Sequence, residues 1–348
     1  MNQYSTQLLK WLATGSSFCS ATVIQTWGSS PRPVGSMMFI GSDAEILGSV
    51  SGGCVEGAVV REALEVMKTG IAKHLKFGVT DDEAWAVGLS CGGSMAVFLE
   101  PFVGIQNPEM WSLLSTENPC CTLATLLSAE NTTHVLVTDK GEIMGNSSNE
   151  NLKIEALRAY RERKTQTITL ENETWLLQVF SRQSQLIIVG AAHITVDLVH
   201  LAQYFDFETI VIDPRGIFAH KTQFPTPPDH LFVDWPAEVL PNFKLDAYTF
   251  AVLLTHDPKI DDQALELFLK SEVAYIGCLG SKKTHEKRIN RLTEKGFSET
   301  EMARIHAPVG VDIRAKSAKE IALSIVSELV RERNQYLRSE ERRVGKEC

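Results

Sequence analysis

Several common features are missing from this sequence, and each absence removes a class of function. No apolar run approaches the ~20 residues needed to cross a bilayer. Positive charge is scarce: 34 Lys and Arg stand against 43 Asp and Glu, a formal net charge of -9. That balance argues against nucleic acid or an anionic membrane as partner. The seven cysteines include no C-x-x-C pair, so no structural zinc framework is offered. Residues 1–10 lack the charged-then-apolar layout of a signal peptide. The cytoplasm, with its thiols reduced, is therefore the expected compartment. Residues 338–348 resemble the translation of a sequencing-adapter oligonucleotide and are set aside, with the native C-terminus expected to be cut or replaced near Leu337.

What is present suits two globular domains: 348 residues, 44% apolar and 22% charged. The patterning predicts an α/β protein. An N-terminal mixed α/β domain over 1–181 is followed by a C-terminal Rossmann-like doubly wound parallel-sheet domain over 185–335. In the first, helices are expected over 3–14, 55–68 and 151–163, a helical turn over 81–85, and strands over 18–26, 36–40, 44–48, 73–77 and 94–101. Strands at 120–127, 134–138, 168–170 and 175–180 are expected to complete the same sheet. The polar stretch 181–185 marks the boundary.

Beyond it, Leu186-Ile187-Ile188-Val189 reads as a central parallel strand, followed by Gly190-Ala191-Ala192-His193, a helix over 194–204 and a strand ending in Asp213. This is the layout of a dinucleotide-binding crossover, with Asp213 as the acid after the second strand and Arg215 close by. Ala192 and Thr195 replace the second and third glycines of that fingerprint, and a methyl at 192 would crowd a pyrophosphate. Later strands run into Thr255-His256-Asp257 and into Gly280-Ser281. Lys282, Lys283, His285, Lys287 and Arg288 follow on a helix, either as a solvated face or as an anion site. A closing helix is expected over 317–333.

Three stretches invite chemistry. Gly48-Ser49-Val50-Ser51-Gly52-Gly53-Cys54-Val55-Glu56-Gly57 joins a strand to a helix. Gly52 and Gly53 leave N–H groups approachable at a helix start, a position that favours an anion and a thiolate at Cys54. Glu56 is either a dipole-complementing carboxylate or a ligand contact. Leu89-Ser90-Cys91-Gly92-Gly93-Ser94 writes a near mirror image. Gly28-Ser29-Ser30-Pro31-Arg32-Pro33-Val34-Gly35 is a forced loop in which Ser29 and Arg32 could meet phosphate, unless it is a plain surface turn. Cys19, Cys120, Cys121 and Cys278 sit in apolar surroundings and read as inert core thiols.

These motifs resemble the XdhC/CoxI family, accessory factors of xanthine dehydrogenase and related molybdenum hydroxylases. The likeness rests on Gly28-Ser29-Ser30-Pro31-Arg32, Gly52-Gly53-Cys54-Val55-Glu56-Gly57 and Cys91-Gly92-Gly93. In the second domain it rests on Asp213-Pro214-Arg215, Thr255-His256-Asp257, Tyr275-Ile276-Gly277, Gly280-Ser281-Lys282-Lys283-Thr284 and Ala307-Pro308-Val309-Gly310-Val311-Asp312. The resemblance implies a chaperone rather than an enzyme. It would bind the molybdenum cofactor (molybdopterin), keep its terminal sulfur in place and help insert it into a xanthine dehydrogenase-type apo-hydroxylase. A cysteine desulfurase would supply the sulfur, and a homodimer is plausible. Cys54 and Cys91 would then offer soft sulfur to molybdenum or a transferred persulfide. Cofactor contacts are expected at Ser29, Arg32, Gly52, Gly53, Cys54, Glu56, Cys91, Gly92 and Gly93. In the second domain they are expected at Gly190, His193, Asp213, Arg215, His256, Gly280 and Lys282, where NAD(P) or another nucleotide could bind. The chain departs from the family at Ala192 and at Arg314, where glycine is usual. Rival readings are an NAD(P)-binding oxidoreductase, a metal site of Cys54, Cys91 and His256, and a Cys54–Cys91 redox pair.

Overall fold

The computed structural model describes residues 5–28, 32–78, 93–102, 108–114, 116, 119–130, 132–145, 149–216 and 224–344. Ser29, Cys91, Gly92 and the turn expected at 81–85 lie outside the described residues. The chain forms two compact units, Met1–Arg182 and Gln183–Cys348.

The first unit holds two antiparallel sheets, not one. Its opening helix α1 (Ser5–Thr14) precedes β1 (Phe18–Trp27), β2 (Met37–Gly41), β3 (Ile46–Gly48), α2 (Glu56–Thr69), β4 (Lys73–Phe77) and β5 (Ser94–Phe102). These strands pair in the order β3-β2-β1-β5-β4. The helix α2 buries Val59, Ala63 and Val66 against Ala21, Val23, Val97 and Leu99. Each such valine contributes ~1.5–3 kcal/mol of burial.

The strands expected to extend this sheet instead make their own. After α3 (Pro108–Leu114) come β6 (Cys121–Leu126), β7 (His134–Thr138), β8 (Ile143–Gly145), α4 (Glu150–Glu162), β9 (Gln166–Leu170) and β10 (Glu173–Phe180), paired as β8-β7-β6-β10-β9. The first sheet cannot grow past its edges: β3 is three residues long, and β4 carries Lys73, His74 and Lys76. The second sheet buttresses the first through side chains. A bulge at Ile24 of β1 leaves its carbonyl to accept from Thr167 Oγ1 at 2.9 Å. Gln178 Nε2 donates to the Gly35 carbonyl at 2.8 Å.

The second unit is a parallel sheet with helices α5 to α10. Its elements are β11 (Ser184–Val189), α5 (His193–Tyr204), β12 (Phe207–Ile212), β13 (His230–Phe232), α6 (Pro236–Val239), β14 (Thr249–Leu253), α7 (Pro258–Leu269), β15 (Tyr275–Cys278), α8 (Lys282–Glu294), α9 (Glu299–Met302), β16 (Ile305–His306) and α10 (Ala318–Val344). The strand order is β13-β12-β11-β14-β15-β16, so the order reverses between β11 and β14. Two apolar clusters flank the sheet: Ile187, Ile210, Ala251 and Ile276 share one, Leu186, Ile188, Val211 and Val252 the other. The polar residues Ser184 and Gln185 belong to β11 rather than to a linker. Gln185 Nε2 is satisfied by the Lys244 carbonyl at 2.8 Å and Thr249 Oγ1 at 2.6 Å. No helix among the described residues is long and apolar enough to cross a membrane.

Candidate functional site

The register of the first sheet gathers three loops at one end. Trp27, the last residue of β1, pairs with Ser94, the first of β5. Phe77, the last of β4, pairs with Met95. Met38 of β2 pairs with Gly48, the last of β3. The loop carrying Arg32, the loop carrying Cys54 and the approach to β5 carrying Gly93 therefore leave the sheet on the same side. Gly93 is buried there and Arg32 is exposed. Trp27 stands at this end with 71% of its surface exposed. By sequence it reads only as the end of a strand; its signal is a large aromatic immediately before a glycine turn.

At the centre of the second loop, Glu56 folds back onto the chain before it. Its Oε1 accepts from Ser49 Oγ at 2.7 Å, Ser51 N at 2.8 Å and Gly52 N at 3.0 Å. Its Oε2 accepts from Gly53 N at 2.9 Å, Val55 N at 3.2 Å and the Ser51 hydroxyl. Ser51 Oγ in turn accepts from Cys54 N at 3.1 Å and Val55 N at 3.0 Å. Every N–H from Ser51 to Val55 is thus taken by Glu56 or Ser51, and Ser49 Oγ also accepts from Gly52 N at 2.8 Å. Burial raises the Glu56 pKa, but donation from Ser51 and Ser49 and from the loop backbone outweighs it and holds the carboxyl at about 2.

This corrects the expectation that Gly52 and Gly53 cradle a ligand anion with their N–H groups. The nest exists, with φ at +79° and +120°, but the protein's own carboxylate fills it. What the loop can still offer is its carbonyls, the half-buried Cys54 thiol, and room: a Cβ added at Gly52, Gly53 or Gly57 would meet nothing within 4 Å. Gly35, by contrast, is dictated by packing, since a Cβ there would lie 2.6 Å from Thr165 Cγ2 of the second sheet's side. Burial drives the thiols of Cys19, Cys121 and Cys278 up to about 12, which removes them from any thiolate chemistry.

In the second unit, the residues placed at the crossover do structural work. Asp213 is fully buried. It accepts from Ala191 N at 2.8 Å, from Arg215 N and Nε at 2.9 Å, and from Arg215 Nη2 at 2.8 Å. Burial raises its pKa, yet the Arg215 guanidinium and these N–H groups leave it below the usual carboxylate range. Gly190 has φ +112°, and a Cβ there would come within 2.9 Å of Thr255 Cγ2 and 3.1 Å of the Leu254 carbonyl carbon. That glycine is required by strand packing whether or not a dinucleotide binds. His193 is exposed at the start of α5. His256 lies on the loop after β14, next to β11; Gly280 lies on the loop after β15 and Lys282 opens α8, two strands from β11. Among the described residues, no three His, Cys, Asp or Glu side chains form a group that could hold a metal ion.

Comparison with known proteins matches a family model to each unit. Residues 11–78 match the model of the XdhC and CoxI family, and residues 186–329 match that of the XdhC Rossmann domain. The chain belongs to the XdhC/CoxI family. It is 26% identical over 339 residues to a Bacillus subtilis (strain 168) protein named as a probable xanthine dehydrogenase subunit, covering 96% of this chain and 98% of that one. It is 28% identical over 322 residues to the molybdenum cofactor insertion chaperone PaoD of Escherichia coli (strain K12), covering 91% and 84%. A crystal structure described as a xanthine dehydrogenase of Bacillus halodurans superposes with a TM-score of 0.73 at 28% identity, covering 95% of this chain and 96% of that one.

Several XdhC/CoxI motifs of the second unit now have a physical reason apart from any ligand. Glu328 Oε2 accepts from the Tyr275 hydroxyl at 2.7 Å and from Gly310 N at 2.5 Å, tying the strand motif and the 307–312 loop to α10. The two departures differ in cost. Ala192 is extended, with φ -79°, which any residue adopts. Arg314 has φ +57°, the left-handed region that glycine occupies without strain.

Proposed function

We propose that this chain binds the molybdenum cofactor as cargo at the Cys54 loop of its first unit and passes it to a xanthine dehydrogenase-type hydroxylase. The names of the Bacillus subtilis and Escherichia coli relatives support the reading. The observation that carries it is the Glu56-locked loop, which holds a half-buried thiol beside two bare glycines at the end of a sheet where two other loops converge. A fixed soft sulfur suits molybdenum better than a hard oxygen donor would. With its N–H groups consumed, the loop is left with acceptor carbonyls, and these suit the N–H edge of a pterin rather than its phosphate. Trp27 offers a ring face for stacking. Sulfur delivery to the cargo would fall to a cysteine desulfurase partner.

The test is reconstitution. Purified apo-hydroxylase, incubated with cofactor and this protein, gains activity faster than with cofactor alone. The Cys54→Ala, Cys91→Ala double variant should give no acceleration while keeping the wild-type circular dichroism spectrum. Full acceleration by the double variant would remove the thiols from the mechanism.

A further inference from the structure

The second unit contains a pocket of about 250 Å³ that the cargo site does not use. His256, Asp261, Ser281, Lys283, Lys287 and Arg288 are among the residues that line it. The pocket lies where β14 and β15 end, at the carboxyl edge of a parallel sheet and at the N-terminus of the 13-residue helix α8. Ser281 caps that helix by accepting from Thr284 N at 3.3 Å. Among the described residues no acceptor meets the N–H groups of Lys282 and Lys283, which are left at the positive end of the helix dipole.

The second observation is independent of the helix end. Arg288 is 2% exposed, yet its Nε and Nη1 have no hydrogen-bond partner. Only Nη2 is engaged, donating to the Leu279 carbonyl at 3.1 Å, and Asp261 Oδ2 stands 3.9 Å away. A buried donor left unpaired is costly, and more so when it belongs to a charged group. Positive charge around the pocket also exceeds negative. Arg291 is neutralised by Asp262, at 2.7 and 2.9 Å, but Lys283 and Lys287 have no carboxylate within 4 Å among the described residues. Asp261 is the one carboxylate in the lining, accepting from Thr255 Oγ1 at 2.5 Å, against Lys283, Lys287, Arg288 and Arg291.

We infer that this pocket binds the phosphate group of a small phosphorylated molecule, with Arg288 as its buried counter-charge and Lys283 and Lys287 at its mouth. The site is displaced from the β11 crossover where a dinucleotide pyrophosphate would lie, and the inference does not rest on the Cys54 loop. A mononucleotide and a phosphate-bearing pterin share the required chemistry.

Isothermal titration of the full-length protein with inorganic pyrophosphate tests the site, and AMP or oxidised molybdopterin then distinguishes the sources. Saturable binding is expected, weakened at least tenfold by a Lys283→Ala, Lys287→Ala double variant, since a lost charge-assisted hydrogen bond is worth ~1.5–3 kcal/mol. Pyrophosphate should also raise the wild-type unfolding temperature and leave that of Arg288→Met unmoved. Because Arg288→Met alters a buried side chain, the surface lysine variant carries the test should it fail to fold. Absence of saturable pyrophosphate binding, or binding that both lysine substitutions leave unchanged, overturns the inference.

Discussion

Glu56 is the residue that organises the glycine loop of the first unit. A carboxylate one residue inside a helix ordinarily faces solvent and complements the dipole. Here it reaches back and gathers six donors, a role that depends on left-handed backbone at Gly52 and Gly53. That is why the sequence showed the loop but not its occupant: the spacing marks a glycine turn before a helix, while the curl of the nest is a matter of φ and ψ. Glu56→Gln should cost about 2 kcal/mol of local stability, the worth of charge-assisted bonds. Loss of amide exchange protection over 51–55 would show it; unchanged protection would mean the carboxylate is incidental. Because the folded pKa is depressed, the contribution of Glu56 is fully present above its ordinary value of 4.5 and is lost as pH falls toward about 2. Exchange protection of the loop should follow that window, whereas a group with a raised pKa would show the reverse. Asp213 teaches a similar lesson. Its position after the second strand was readable, but its capture by Arg215 two residues on was not, since periodicity does not report where a side chain turns.

Among elements, the helices and strands were largely legible because their apolar spacing is strong. The hairpin of β2 and β3, the helix α2 and the run of β11 follow the pattern within a residue or two. The second sheet was not legible, because strand propensity says nothing about which strands pair. Only the short β3 and the charged β4 hint that the first sheet ends. Glycines allow the sharpest contrast. Gly190→Ala meets Thr255 and the Leu254 backbone and should destabilise by ~2 kcal/mol or more. Gly57→Ala, in the exposed first turn of α2 with open space around its Cβ, should stabilise by up to ~1 kcal/mol. A stabilised Gly57→Ala that nonetheless loses cofactor binding would show that glycine is kept there for the ligand. Arg314→Gly should relieve left-handed strain and leave the protein as stable or up to ~1 kcal/mol more so. Thermal unfolding of the three variants side by side checks all of this.

At the scale of the molecule, the chain divides into two compact units. The first presents a thiol loop and an exposed aromatic at one end of a sheet; the second is a Rossmann-type sheet whose crossover residues serve packing while its basic pocket sits one strand over. Doubly wound topology was readable from the alternation of apolar strands with helices. The pocket was readable only as a basic run on a helix, because the burial of Arg288 beside charged and imidazole neighbours depends on which helix face meets the sheet. The most direct test of the cargo site is the cofactor content of the protein purified from a host that makes the cofactor. Bound pterin and molybdenum are counted per chain for wild type, Cys54→Ser and Trp27→Ala. Wild type should carry the cofactor, Cys54→Ser should lose its molybdenum while keeping its fold, and Trp27→Ala should retain less pterin. Cofactor retained at the wild-type level in Cys54→Ser would contradict the assignment of the loop as the cargo site.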